Sequence, residues 1–292
     1  MASIFSASSL HTTIDTDEGE EQLWRVEIRD LARAFCGALF VALPLHFTME
    51  MWERARVMPV WVLLLLLPAT YFINVGFALF SGYKSKIKRQ AIWFDAFVAM
   101  GVGLLAATIT LLLIDQLTYQ QPLTVSLKTI LLEMIPTSFG ASMAKSQLGG
   151  GNSQEGRDLT DAFSPDFRKI TGATLGALIF SFNIAATQEP ILIATSIKSY
   201  QVVGLILFSL FVSYLMIFVA DFAHQDGDQG GIMGDDWAET TICYVLSLGI
   251  SALLLWVFGY LTAGVPLHLA LTWIVVLGYA TTLGGSAGRL VL

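Results

Sequence analysis

The chain has 292 residues, of which 55% are hydrophobic and only 13% charged, and its formal net charge is −7. Soluble domains carry about 25% charged residues, so this composition excludes a soluble globular protein. Several apolar stretches reach the length of about 20 residues that a helix needs to cross a bilayer. They are apolar on all sides and do not alternate, which favours helices over the strands of a membrane barrel. The sequence therefore predicts an all-α, polytopic membrane protein.

Residues 1–32 are predicted to form a cytoplasmic tail followed by a short interfacial helix. The first 22 residues lack the basic head, apolar core and cleavage site of a signal peptide. Four apolar residues then fall at helical spacing among charged ones, which is typical of a helix at a membrane surface: Trp24, Ile28, Leu31 and Phe35. A simple N-terminal extension of the first membrane helix would give the same spacing.

Eight membrane helices follow, in two groups of four. The predicted spans are 33–52, 60–80, 93–117, 125–146, 170–189, 202–222, 240–262 and 267–288. The fourth is the least apolar, because it contains Lys128 and Glu133. Each group forms one predicted unit, at 33–148 and 169–292, and the segment 149–168, with its run of three glycines, is a flexible cytoplasmic linker.

The second group of helices repeats the first. Pairs that align without a gap include Trp93 with Trp237, Thr137 with Thr281, Gly140 with Gly284, and Ser142 with Ser286. A second register aligns Gly37 with Gly176, Thr48 with Thr187, and Glu50 with Glu189. Matches of glycine, tryptophan and hydroxyl residues are harder to obtain by chance than matches of leucine. Because each unit has an even number of spans, the two would share one orientation, an arrangement common among transporters.

Basic residues are concentrated on one side of the predicted spans. They precede the first span, crowd the loop between the second and third, and flank the linker: Arg25, Arg29, Arg33, Lys84, Lys86, Lys88, Arg89, Lys145, Arg157, Arg168 and Lys169. Basic loops stay in the cytoplasm, so both termini are predicted to be cytoplasmic and the chain to cross the cell membrane several times.

Acidic residues recur near the predicted outer surface. Glu50 lies about 25 Å along the first span and Glu189 about 30 Å along the fifth, at a rise of 1.5 Å per residue. Paired carboxylates at an outer mouth would concentrate cations; two interfacial acids that meet water or Arg54 are the alternative. Pro190 directly after Glu189 predicts a helix break there.

Other polar residues lie deeper, where a charge is costly and its presence suggests function. Glu133 is about 16 Å past Pro122, close to the midplane, and either faces a wet cavity or pairs with Lys128 or His46. His46 is four residues before Glu50, which in one helix would place them on a shared face. The remaining pathway candidates are Asn74, Asn183, Thr137 and Ser138, with helix bridging and close packing as alternatives. Asp95 and Glu239, which align across the repeat, are predicted to stabilise helix N-termini.

The loop between the sixth and seventh spans is acidic. Two of its residues, Asp226 and Asp228, faintly resemble a calcium-binding loop, although the glutamate expected at the twelfth position is absent. With Asp235 and Asp236 they form a possible divalent-ion regulatory site, against the default of a solvated acidic loop. No other cofactor is predicted.

Short motifs add a resemblance. The sequence LPL at 43–45, followed by TMEMW at 48–52, and ATQEP at 186–190, resembles a bacterial family of polytopic integral membrane proteins of unknown function. The resemblance covers most of the chain. It implies a bacterial inner-membrane setting and supplies no activity.

Three functions are compatible with these observations. The favoured one is a cation, or proton-coupled cation, channel or transporter, with Glu50 and Glu189 at its outer mouth and Glu133 deeper. The alternatives are a membrane sensor or assembly factor and a haem or redox enzyme, for which only His46 is a fair ligand. The chain lacks an HExxH motif, and no enzymatic activity is expected. The expected partners are the lipid bilayer, a small cation or proton and further copies of the chain, but not nucleic acid.

Overall fold

All regular structure in the described part of the chain is helical. The structure is a computed structural model, and it describes residues 8–80, 90–118, 120–148, 163–223 and 235–291. Its helices are α1 (Ser8–His46), α2 (Met49–Val57), α3 (Val60–Phe80), α4 (Gln90–Leu113), α5 (Leu123–Leu148), α6 (Pro165–Ala185), α7 (Glu189–Ser196), α8 (Ser199–Ala223), α9 (Asp236–Val257) and α10 (Leu267–Val291). The predicted all-α class is confirmed.

Several of these helices can cross a membrane. Within the described ranges, α3, α4, α8, α9 and α10 are each long and apolar enough to do so. Two bent pairs, α1 with α2 and α6 with α7, pass the same test together, which gives up to seven spans if each pair is counted as one. The fold is therefore that of a polytopic helical membrane protein.

Helix α5, which covers the predicted fourth span, is not among these candidates. It carries Lys128 and Glu133 as well as several hydroxyl residues, which lower its mean hydropathy. It is nevertheless the central helix of its half, because residues 132–142 are all buried and it contacts α1, α2, α3, α4 and α6. A helix enclosed by protein does not need an apolar surface toward lipid, which explains how its polar residues are accommodated.

Two predicted spans are broken into a long and a short helix. Helix α2 is bent by 82° relative to α1, and α7 by 79° relative to α6; we call these two breaks the elbows. The break predicted at Glu189 and Pro190 is confirmed, whereas the prediction of one continuous helix over 33–52 is wrong. There the backbone N–H of Thr48 donates to the Leu45 carbonyl, and its hydroxyl donates to the Pro44 and Leu45 carbonyls. These bonds replace the helical pattern and end α1 at His46.

At its other end, α1 is continuous from Ser8. The segment around Trp24, for which the spacing predicts an interfacial helix, is therefore the N-terminal part of α1. Trp24, Ile28 and Leu31 are exposed on this extension, so the extension alternative describes the structure.

Glycines allow the closest helix contacts. Helices α1 and α5 cross where Gly37 meets Gly140, and α6 and α10 cross where Gly176 meets Gly284. A Cβ atom at any of these four positions would overlap a backbone carbonyl oxygen of the facing glycine. Small residues at such crossings let helix backbones touch, which is a main source of packing energy inside a membrane.

Aromatic rings join the two halves of the chain. Phe139 of α5 packs edge-on against Phe182 of α6, with ring centroids 6.1 Å apart, and Phe182 packs against Phe258 at 5.2 Å. All three rings are buried. Edge-to-face pairs of this kind contribute about 0.5–1.5 kcal/mol each beyond burial, so they hold α5 against α6.

Candidate functional site

Glu133 lies near the middle of α5 and is only 1% exposed. Neither of its carboxyl oxygens has a hydrogen-bond partner among the described residues. Lys128, which the sequence offered as a partner, instead donates from Nζ to the Arg56 carbonyl oxygen at 2.9 Å. Enclosing a carboxylate without a partner is costly in a membrane, so Glu133 requires a proton or a cation.

A buried amide lies close to this region. Asn74 of α3 donates from Nδ2 to Ser138 Oγ at 2.9 Å and accepts from Ser142 Oγ at 2.7 Å. Thr137 donates its hydroxyl to the backbone carbonyl of Glu133. Thr137 and Ser138 thus lie within two turns of Glu133 on α5, and Asn74 of α3 is bonded to Ser138. The hydrogen bonds of Asn74 bridge α3 and α5, in agreement with the helix-bridging alternative.

His46 is the last residue of α1 and is fully buried. Its Nδ1 lies 2.8 Å from the Ala42 carbonyl oxygen. Because a carbonyl only accepts hydrogen bonds, Nδ1 carries the proton, and Nε2 is the acceptor nitrogen of the neutral ring. Among the described residues, Nε2 has no hydrogen-bond partner. The predicted shared helix face with Glu50 is wrong, because the first elbow separates the two residues.

A second cluster joins the halves at the side of the bundle where the elbows lie, which we call the elbow side. The guanidinium carbon of Arg54 lies 3.9 Å from the ring centroid of Tyr260, a cation–π contact. The Tyr260 hydroxyl donates to the Thr187 carbonyl oxygen at 3.0 Å. This arrangement ties α2 to the second elbow.

The two predicted mouth acids belong to the same cluster. Tyr260 follows α9, outside the membrane-spanning helices, and burial raises the pKa of its hydroxyl. Arg54 opposes this rise through a hydrogen bond and its charge, whereas Glu50 and Glu189 add to it. Both carboxylates therefore act on Tyr260, with Glu50 half-buried and Glu189 exposed. The elbow side thus carries two acids and one base around a tyrosine. The sequence offered Arg54 as a partner for the acids, but not Tyr260, which is far from Arg54 in the chain.

Asn183 lies in the last turn of α6, next to the second elbow. Its Nδ2 donates to the Ile179 carbonyl oxygen at 2.8 Å. Its Oδ1 is buried and has no hydrogen-bond partner among the described residues. Among the described residues, no hydrogen bond joins Asn183 to Asn74 or Glu133, so hydrogen bonding does not unite these three predicted residues in one site.

The structure contains a buried ion cluster that the sequence did not predict. Glu239 Oε2 accepts from Lys169 Nζ at 2.7 Å and from Arg289 Nη2 at 3.1 Å, and Arg289 Nε pairs with the other carboxyl oxygen. Glu239 does lie in the first turn of α9 as predicted, but its carboxylate is paired with two basic side chains. Its partners are 70 and 50 residues away in the chain, so no local spacing could have revealed them.

The predicted divalent-ion loop is described only in part. Asp226 and Asp228 lie outside the described residues. Asp235 precedes α9 as its N-cap residue, and Asp236 lies in the first turn. The described residues hold no group of three or more His, Cys, Asp or Glu side chains that could bind a metal ion. The predicted binding of calcium and the predicted association with further copies of the chain stay predictions.

Long apolar helices, two of them broken, around buried polar side chains define a polytopic helical membrane protein. The chain belongs to the family described as "Putative integral membrane protein (DUF2391)", whose model matches residues 30–292. The resemblance inferred from the short motifs is thereby confirmed. No curated protein and no solved structure matches the chain.

Proposed function

We propose that this protein transports a small cation, or a proton, across the bacterial inner membrane and that it catalyses no chemical reaction. The observation that carries this proposal is the buried carboxyl group of Glu133. An ionisable side chain at membrane depth either pairs with another group or marks an ion pathway. Both of its carboxyl oxygens lack a hydrogen-bond partner among the described residues, so a transported ion is the partner that its surroundings call for.

The two elbows support transport independently. Interrupted helices at corresponding positions of two repeats are typical of the binding regions of transporters. Here the elbows follow α1 and α6, with bends of 82° and 79°, and each short helix after the elbow has a glutamate in its first turn, Glu50 or Glu189. On α5, Glu133 precedes Gly140, where α5 crosses α1 in antiparallel orientation, and it therefore lies toward the elbow side of that crossing.

This interpretation includes a tandem repeat of residues 33–148 and 169–292. The order of helices supports it: α1 to α5 correspond to α6 to α10. Helix α5 contacts α1, α2, α3 and α4, and α10 contacts α6, α7, α8 and α9. The glycine crossings match as well, because Gly37 with Gly140 corresponds to Gly176 with Gly284 in the aligned registers.

Hydrogen bonds repeat in the same registers. Ser142 Oγ bonds Asn74 at 2.7 Å, and at the corresponding positions Ser286 Oγ bonds Ser213 at the same distance. Helix α4 ends before a residue with positive φ, Asp115 at 60°, and α9 ends before another, Gly259 at 76°. The bonds that close these two helix ends also correspond: Gln116 N to Leu111 O at 2.9 Å, and Tyr260 N to Leu255 O at 2.8 Å.

We further propose that each repeat crosses the membrane four times, which counts each bent pair and the enclosed helix α5 as one span. The distribution of Lys and Arg supports an orientation with both termini in the cytoplasm and the elbow side outside. Glu50 and Glu189 lie at the outer mouth in this orientation, where they attract cations.

Replacement of Glu133 by Gln is expected to lower ion flux at least about tenfold, because the amide keeps the shape of the carboxyl group but cannot exchange a proton or balance a cation. Flux of protons, sodium and rubidium is measured with the full-length protein in liposomes. Glu53→Gln is the matched control, since Glu53 is an exposed acid of α2; it should keep wild-type flux. Wild-type flux in folded Glu133→Gln protein would contradict the proposal that Glu133 lies on the ion pathway.

The double variant Glu50→Gln with Glu189→Gln is expected to lower cation flux about tenfold at low ionic strength and less at high salt, because the mouth acids act by raising the local cation concentration. Flux is compared at low and high salt against Glu53→Gln. Unchanged flux at low salt would exclude the two acids from the mechanism and would leave the role of Glu133 open to its own test.

A further inference from the structure

At two aligned positions the first half has a buried ionisable side chain where the second half has an apolar one. In the aligned registers, Glu133 corresponds to Leu277 and His46 to Ala185. All four side chains are buried. The first half therefore carries a carboxyl group and an imidazole where the second half has apolar side chains. This difference bears on which ion is transported, so an inference drawn from it rests on the proposed function and on the repeat.

Glu133 and His46 lie at similar depth on two packed helices. Gly140 of α5 meets Val41 of α1, and Gly37 meets Ala144, so the two helices run antiparallel. From Gly140 to Glu133 is seven residues, about 10 Å, and from Val41 to His46 is five residues, about 8 Å, in the same direction.

Each of the two groups has unused hydrogen-bonding capacity. Both carboxyl oxygens of Glu133 and the Nε2 of His46 lack partners among the described residues. The bond from Nδ1 to the Ala42 carbonyl fixes the ring so that Nε2 is the acceptor. No direct hydrogen bond between Glu133 and His46 is formed in this conformation, so a water or a small movement at the first elbow would have to connect them.

We propose that the ion is a proton, and that Glu133 and His46 bind it in turn. In the transfer, the O–H bond of the Glu133 carboxylic acid breaks and an N–H bond forms at His46 Nε2. The products are a carboxylate and an imidazolium, so the pair keeps its net charge. Two groups suffice for a proton, whereas a dehydrated divalent cation takes about six oxygen ligands.

The other described ionisable groups on the helices packed against α5 lie toward one or the other membrane surface, apart from Tyr71 of α3, which donates to the Trp93 carbonyl at 3.1 Å. Those on the elbow side, all on α2, are Glu50, Glu53, Arg54 and Arg56. Those toward the opposite side are Arg25, Glu27, Arg29, Asp30, Arg33 and Cys36 on α1, Asp95 on α4, and Asp166, Arg168 and Lys169 on α6. His46 and Tyr71 are thus the described ionisable side chains of these helices that lie away from both surfaces, and the Tyr71 hydroxyl is already bonded to the Trp93 carbonyl oxygen.

The test uses the full-length protein in liposomes that enclose a pH-sensitive dye. Proton flux under a pH gradient is compared with uptake of isotopic sodium and rubidium in parallel vesicles. Glu133→Gln and His46→Gln should each lower proton flux about tenfold or more, since neither amide accepts a proton, while Glu133→Asp should keep part of it. His268→Asn is the matched control, because His268 is exposed near the start of α10. Thermal unfolding of each variant establishes that it is folded.

The outcomes separate the two proposals. Sodium or rubidium uptake that depends on Glu133, without proton flux, would overturn the proton inference and leave cation transport intact. Proton flux that is unchanged in folded His46→Gln protein would also overturn the inference. Absence of all three fluxes in the wild-type protein would overturn the proposed function itself. Proton flux that falls in both variants and not in His268→Asn supports the inference.

Discussion

Replacement of Gly176 by Ala is expected to destabilise the protein by about 2–3 kcal/mol, although alanine is the better helix former. The added methyl group would overlap the Gly284 carbonyl oxygen and the backbone of Gly288. These are backbone atoms of α10, which cannot rotate away as a side chain can. Helices α6 and α10 must therefore separate and lose the close contact on which membrane helices depend. Thermal or denaturant unfolding in detergent measures the loss.

The control variant is expected to leave the stability of the protein unchanged or to increase it. Gly204 of α8 is exposed, and a methyl group added to its Cα would have no neighbouring atom within 4 Å. Gly204→Ala should therefore be neutral or stabilise the protein by up to about 1 kcal/mol through helix propensity. Gly37→Ala, at the matching crossing of α1 and α5, should resemble Gly176→Ala. Equal stability of the Gly176 and Gly204 variants would contradict the close packing of α6 on α10.

Replacement of Glu239 by Ala is expected to cost about 3–5 kcal/mol, the usual effect of removing one partner from a buried ion pair. The variant leaves Arg289, whose side chain is 7% exposed, and Lys169, whose side chain is 23% exposed, without their shared carboxylate. The positive charges of these two side chains then lie where α6, α9 and α10 meet, without the carboxylate that they share. Chemical unfolding in detergent measures the effect, and loss of expression would be its extreme form.

Two comparisons distinguish a buried ion cluster from an ordinary surface pair. Asp30 and Arg33 form a partly exposed pair at 3.1 Å, so Asp30→Ala should cost at most about 1 kcal/mol. Adding Arg289→Leu to the Glu239 variant should recover part of its stability, because it removes the more buried of the two positive charges that have lost this carboxylate. If the Glu239 and Asp30 variants were equally stable, the buried cluster would contribute no more to the stability of the protein than a partly exposed ion pair does.

Helix positions followed from the sequence with useful accuracy. The prediction of 60–80 coincides with α3, and the predicted start at 267 coincides with that of α10. An apolar run of about 20 residues has few alternatives to a helix, because unpaired backbone groups are too costly in lipid. The second elbow could also be predicted, since Pro190 marks it. The first elbow could not, because it depends on the hydrogen bonds of Thr48 rather than on a proline at the break.

The candidate site was predictable residue by residue but not as an arrangement. Glu133 and His46 stand out in any hydropathy profile, because polar side chains are rare in apolar helices. Hydropathy does not reveal which groups pair with them. Lys128 was a reasonable partner for Glu133 by spacing, yet it caps the end of α2 at the Arg56 carbonyl.

The sequence by itself determined that this is a polytopic helical membrane protein, and which ionisable side chains lie within its apolar segments. These properties depend on residue type and order, since the cost of taking a polar group from water into lipid is set by its chemistry. Only the tertiary structure decided that α5 is enclosed, that Glu239 is paired twice, that Arg54 packs on Tyr260, and that Glu133 has no protein partner among the described residues. Pairing requires two groups to meet within a few ångströms, and for residues far apart in the chain that depends on how the helices pack.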